Sequence, residues 1–174
     1  TLLHAPDCYM NKLAAGPALA GHVSLEGGAV YNIEQAMHVL DCEAKDVRIV
    51  ALDRERHHQL FKEISETGAQ LELLGDGDVA GAIWAAKDDG PFDMLMGVGA
   101  APEGVISATA IRGIGGVFEG RLVFRSAQEE ARAETMVGDD LGRLWQATDL
   151  CQSEDAVFAA SGVCDGYLPG VKIG

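Results

Sequence analysis

The residues of this chain best suited to chemistry fall in three short polar clusters. In Gly97-Val98-Gly99-Ala100-Ala101-Pro102-Glu103 a glycine-rich turn leads from a strand-like run into an apolar helical stretch. One carboxylate, Glu103, thus stands at the mouth of a helix beside free backbone N–H groups. Its oxygens suit a hard divalent cation such as Mg²⁺ or Mn²⁺; a first-turn Glu that only complements the helix dipole is the structural alternative. Asp76-Gly77-Asp78 can accept hydrogen bonds from sugar hydroxyls or bind a metal. It can equally be a turn, with Asp78 capping the next helix. Arg54 and Arg56 offer planar donor forks that match phosphate oxygens, at the start of a helix where anions are favoured. Glu55 between them supports the alternative of a solvated charged turn.

Other residues carry less. His57 and His58 read as exposed positions on the helix that follows, with no partners in the sequence for catalysis or metal binding. Tyr9 has no local feature that points to function. Pro102 takes the last glycine of what would be a G-x-G-x-x-G fingerprint, and neither G-x-x-x-x-G-K-[ST] nor G-x-S-x-G occurs.

The elements that must position these clusters alternate. Val47 to Leu52 reads as a buried strand and Glu55 to Thr67 as a helix with Leu60, Phe61 and Ile64 on one face and Gly68 as its stop. Gln70 to Leu74 reads as a strand, and Val79, Ala82, Ile83 and Ala86 form a helical stripe. Phe92 to Val98 is the next strand and Val105 to Ile114 a buried helix. Strand–helix alternation implies a layered α/β domain, and its ligands gather at the carboxyl ends of the strands. All three polar clusters fall at such ends, which places them on one rim. Around this core, residues 1–29 should be strand and loop, Val30 to Leu40 a helix, Gly120 to Phe124 a strand, Ser126 to Thr135 a helix capped by Ser126, and Ala156 to Ala160 a strand.

Composition bounds the rest. The 174 residues are 48% hydrophobic, enough for one domain with a core and no internal boundary. The net charge of −14 argues against a nucleic-acid surface, yet a few arginines or a metal can still hold a small anion. No apolar run approaches the ~20 residues that span a bilayer. Cys8, Cys42, Cys151 and Cys164 form no C-x-x-C pair, so they read as reduced structural cysteines of a cytoplasmic protein. The chain opens on Thr1 with no initiator methionine or secretory leader, and we expect it to be a fragment.

Five segments taken together resemble one family, the class II (GlpX-type) fructose-1,6-bisphosphatases, some of which also act on sedoheptulose-1,7-bisphosphate. They are His4-Ala-Pro-Asp-Cys-Tyr-Met-Asn-Lys12, Leu52-Asp-Arg-Glu-Arg-His57, Asp76-Gly-Asp-Val79, Gly97 to Val105, and Ser161-Gly-Val-Cys-Asp-Gly166. They stand in family order along nearly the whole chain. The resemblance implies the layered fold shared with inositol monophosphatases, and release of the 1-phosphate of fructose 1,6-bisphosphate with Mg²⁺ or Mn²⁺. It implies Glu103 as a metal ligand, and substrate contacts from Tyr9, Arg54, Glu55, Arg56, Asp76, Gly77, Asp78 and Ala100. A homo-oligomer with a sugar bisphosphate as substrate, and neither nucleic acid nor membrane as partner, is expected.

The departures from the family pattern are informative. Ala100 stands where the family has glycine, Glu55 where it commonly has proline, and Ser161-Gly-Val-Cys-Asp-Gly166 where it has Thr-Gly-Val-Thr-Asp-Gly. The family's Asp-Pro-Leu-Glu-Gly-Thr motif and its further acidic metal ligands belong upstream of Thr1, so the chain by itself is expected to be inactive. Two other readings remain open: a nucleotide-binding module, and a non-catalytic interaction domain descended from a phosphatase.

Overall fold

A computed structural model describes residues 1–162. Six strands and six α-helices alternate: β1 (Tyr9–Ala15), α1 (Gly28–Leu40), β2 (Arg48–Leu52), α2 (His58–Thr67), β3 (Gln70–Leu74), α3 (Asp78–Ala86), β4 (Met94–Ala100), α4 (Ala101–Ile114), β5 (Val117–Val123), α5 (Ala127–Val137), β6 (Trp145–Gln146) and α6 (Ala147–Leu150). One mixed sheet has the order β3-β2-β4-β1-β5-β6. Strand β2 runs parallel to β3 and β4, while β1 is antiparallel to both β4 and β5. The expected α/β layering is therefore present.

Alternation along the strands builds a layer on each face. Met10, Ala14, Val50 and Leu95 point toward α3 and α4 and pack with Ala82, Val105, Ala108 and Ile111. Leu13, Ala15, Ile49, Met94 and Met96 point the other way and pack with Ile33 and Ala36 of α1 and Ile64 of α2. Both faces are buried, so the central strands read as nearly unbroken apolar runs. Ser126 caps α5 as its position implied, accepting a hydrogen bond from Glu129 N–H at 3.2 Å.

Three expectations need correction. The strand expected to end at Val98 runs on to Ala100 with no glycine turn, Gly97 standing opposite Lys12 and Gly99 opposite Met10. These glycines serve side chains that press on the strand, as shown below. Helix α4 starts at Ala101, four residues early, because Pro102 is tolerated in a first turn where its missing N–H has no partner to lose. Ala156 to Ala160 forms no strand, and Val157 is 89% exposed. Cys164 and the Val163–Gly166 part of the last resembling segment lie outside the described residues.

Among the described residues, Cys8, Cys42 and Cys151 are free thiols. Burial pushes the Cys8 thiol up to about 11, helped by Glu129 and Asp7. No helix among the described residues is long and apolar enough to cross a membrane.

Candidate active site

The sheet order decides which polar residues meet. Strands β3, β2 and β4 are mutually parallel neighbours, so their carboxyl ends share one edge. Because β1 is antiparallel to β4, its first residue lies at that edge too, and Tyr9 pairs with Ala100 on one side and Val123 on the other. The edge therefore collects Tyr9, the Arg54–Arg56 segment, Asp76–Asp78, Ala100 and Glu103.

Asp78 is the pivot. It is the first residue of α3, yet it does not cap that helix; Gly77 occupies the cap position at φ 93° with no side-chain cap. The Asp78 carboxylate turns inward instead and accepts from Lys12 Nζ at 2.6 Å. The two side chains are 6% and 1% exposed, so this is a buried ion pair. Burial pulls the Lys12 amine below its ordinary range, against the opposing pull of Asp78 and Glu103. Sequence reading passed over Lys12. The available signal was its place between Met10 and Ala14 on an inward-facing stripe, where a charge demands a partner.

Glu103 sits in the first turn of α4, half-buried beside this pair. Burial pushes its carboxyl above the usual carboxylate range, and neighbouring Asp78 adds to the rise; Lys12 opposes it. Exposed Asp76 adds further negative charge and accepts Gly77 N–H at 2.8 Å. A carboxyl pressed upward by neighbouring carboxylates marks a place of hard oxygens and surplus negative charge, the donor chemistry that Mg²⁺ or Mn²⁺ requires. Among the described residues, no group of three or more His, Cys, Asp or Glu side chains is placed to hold a metal. Glu103 is thus fit to contribute to a metal site rather than to complete one.

Phosphate-type donors gather along the same edge. Arg56 donates to Val98 O through Nε at 3.0 Å and Nη2 at 2.7 Å, which fixes its fork over β4. Its guanidinium lies 4.7 Å from the centre of the Tyr9 ring, and that of Arg125 lies 4.6 Å from the same centre. Arg125, at the end of β5, is held by Glu129 and escaped notice in the sequence. Arg54 donates to its neighbour Asp53 O at 2.8 Å. Glu55 is exposed and opens a short 3-10 turn, Glu55–His57, before α2.

That turn corrects the reading of His57, which is 2% exposed. Leu52 O lies 2.7 Å from Nδ1, and Nε2 accepts from Val98 N–H at 2.8 Å. With Nε2 accepting, Nδ1 carries the proton, and the ring ties the end of β2 to β4. Gly97 has φ 136°, and a Cβ there would meet the His57 ring at 3.0 Å, so its glycine answers to both backbone and packing. A cavity of about 10 Å³ remains between Lys12, His57, Asp78 and Gly97–Gly99, at the threshold for a single water.

Burial lowers the His57 pKa, and Arg56 and Arg54 add to the effect. The unfolded chain therefore takes up this proton first, near 6.5. Stability is present above that pH and is lost as pH falls toward the lower folded value. We expect the unfolding temperature to drop as pH falls below about 6.5, and His57→Gln to flatten the drop. Parallel pH profiles of wild type and variant would reject this account.

The family model for bacterial fructose-1,6-bisphosphatase, glpX-encoded, matches residues 1–174. The chain belongs to that family. Among curated relatives, the D-fructose 1,6-bisphosphatase class 2/sedoheptulose 1,7-bisphosphatase of Prochlorococcus marinus subsp. pastoris is 40% identical over 98% of this chain and 56% of that relative. The protein of the same name from Synechococcus sp. (strain JA-3-3Ab) is 39% identical over 96% of this chain and 52% of its own length. This GlpX-type chain thus spans about half the length of the curated relatives it matches.

Proposed function

We propose that the protein carrying this chain is a metal-dependent phosphatase that releases the 1-phosphate of fructose 1,6-bisphosphate, giving fructose 6-phosphate in carbohydrate metabolism. The observation that supports it most is the shared sheet edge, where carboxylates, arginines and Tyr9 come together as a ligand that is both sugar and phosphate requires. Names of relatives that act on sedoheptulose 1,7-bisphosphate make that longer sugar the second reading for the same edge.

In this reading Glu103 contributes a ligand to Mg²⁺ or Mn²⁺. Such a metal supplies a Lewis acid for the phosphoryl oxygens and lowers the pKa of a bound water. Arg54 and Arg56 hold the phosphate that is not cleaved, with the Tyr9 ring packed against Arg56. Asp78 accepts from sugar hydroxyls, with Asp76 and Gly77 lining the approach, while Glu55 and Ala100 flank the ligand. Two-metal chemistry needs more donors than Glu103, so we propose that the 174-residue chain alone does not turn over.

The test is phosphate release from each bisphosphate by the full-length protein with Mn²⁺ or Mg²⁺. Binding of NAD or ATP, with no hydrolysis of either sugar, would replace this reading with the nucleotide-binding one. Hydrolysis by the 174-residue chain alone would overturn the donor argument.

Ala100 gives a finer prediction. Its φ of −68° and ψ of 141° suit any residue, so nothing in the backbone calls for the family's glycine. What glycine offers is space beside the ligand, opposite Tyr9. We expect Ala100→Gly to lower KM for the bisphosphate with kcat nearly unchanged. An unchanged KM would show that the methyl does not face the sugar.

A further inference from the structure

We propose that Lys12 is a positioning residue that commits Asp78 to the sugar and withholds it from the metal. This rests on the phosphatase reading and deepens it. Three observations carry it. The Lys12 ammonium lies 2.6 Å from Asp78 Oδ2, with both side chains buried, so the contact is built into the core rather than chosen among solvent-exposed geometries. Strand β4 is shaped around the pair: a Cβ at Gly99 would overlap Asp78 Oδ2 and lie 3.0 Å from Lys12 Nζ. Glu103, the metal-ligand candidate, lies close enough for both charges to act on its carboxyl, Asp78 raising it and Lys12 lowering it.

Adjacent carboxylates are the ordinary way to hold a hard divalent cation. Asp78 and Glu103 by themselves form such a pair, of charge −2. Lys12 brings the group to −1 and occupies Oδ2 with an ammonium that no metal can displace without leaving a buried, unpaired cation. Asp78 is thereby left one oxygen, already oriented, for a neutral hydroxyl donor. Glu103 is left as the metal's share of the pair. One side chain from β1 thus sorts two neighbouring carboxylates into different roles, much as environment separates paired carboxyls elsewhere.

The prediction runs against what a merely structural lysine would do. In the full-length protein, Lys12→Met should bind Mn²⁺ more tightly, by about tenfold, since one unit charge shifts a neighbouring ionic equilibrium by one to three decades. KM for fructose 1,6-bisphosphate should rise together with that tightening, while kcat falls less. Mn²⁺ binding is read by electron paramagnetic resonance of free metal, independently of turnover. The double variant Lys12→Met with Asp78→Asn leaves neither member of the pair charged and so removes the folding penalty of the single change. It should return to wild-type Mn²⁺ affinity and keep the raised KM. Unchanged or weaker Mn²⁺ binding by Lys12→Met overturns the proposal. So does a wild-type KM in the double variant, which decides the matter even where the single variant does not fold. A wild type that neither binds Mn²⁺ nor releases phosphate defeats the phosphatase reading itself, an outcome distinct from both.

Discussion

Replacing Gly99 by alanine is expected to destabilise the protein by about 3 kcal/mol, between the cost of overpacking and that of breaking a buried ion pair. For a domain of this size that lowers the unfolding temperature by roughly 10 °C. The backbone at Gly99 is paired on the β1 side through Met10. The added methyl would overlap Asp78 Oδ2 and lie 3.2 Å from Asp78 Cγ and 3.0 Å from Lys12 Nζ. Neither partner has somewhere to go: both are buried, and each holds the other's charge. Gly113 is the control. It is exposed near the end of α4, and a Cβ there meets nothing within 4 Å. Gly113→Ala should stabilise by about 0.5–1 kcal/mol through helix propensity alone. Thermal unfolding of the two variants checks both signs. Equal effects would mean that Gly99 does not shape the ion pair.

The same residues show what could be read from the sequence. The layered α/β class and the shared rim were legible because both follow from local periodicity and a general rule about strand ends. The glycines of β4 misled because Gly97-Val98-Gly99 is a turn by composition. What makes it a strand is pairing with β1, more than eighty residues earlier in the chain, together with side chains from two other elements that need the missing Cβ atoms. His57 misled for a related reason. A histidine beside a second histidine on a polar helix start reads as solvated, until Leu52 O and Val98 N–H are seen to satisfy both its nitrogens.

The site divides in the same way. Glu103, Asp76, Asp78, Arg54 and Arg56 stood out because their chemistry is visible residue by residue. Lys12 and Arg125 matter through partners: Lys12 through an aspartate 66 residues away, Arg125 through a tyrosine at the start of β1. Such partnerships appear only once the strand order is known. Asp78 gained most from the structure, since its lack of a capping bond removes the ordinary explanation for an aspartate at that position.

The second large effect is expected at Glu103. Glu103→Gln should cut kcat with Mn²⁺ by about 10²–10⁴-fold, because a metal's stabilisation of transition-state charge is worth several kcal/mol and each 1.36 kcal/mol is tenfold. The same change should raise the unfolding temperature when no metal is added. Burial and Asp78 hold the Glu103 carboxyl above the 4.5 of a free glutamate. As pH climbs past 4.5 the unfolded chain gives up this proton first, so the folded state loses stability until its own, higher pKa is passed. Above 4.5 the wild type carries that penalty, and glutamine, which cannot ionise, does not. Added Mn²⁺ should reverse the order: it binds the folded wild type and stabilises it by mass action, with little effect on the variant. The opposite signs with and without metal separate a ligand from a carboxylate that merely complements the helix dipole. A dipole-only Glu103 would lose a favourable interaction on substitution, so Glu103→Gln would melt lower in the absence of metal and respond to Mn²⁺ as the wild type does.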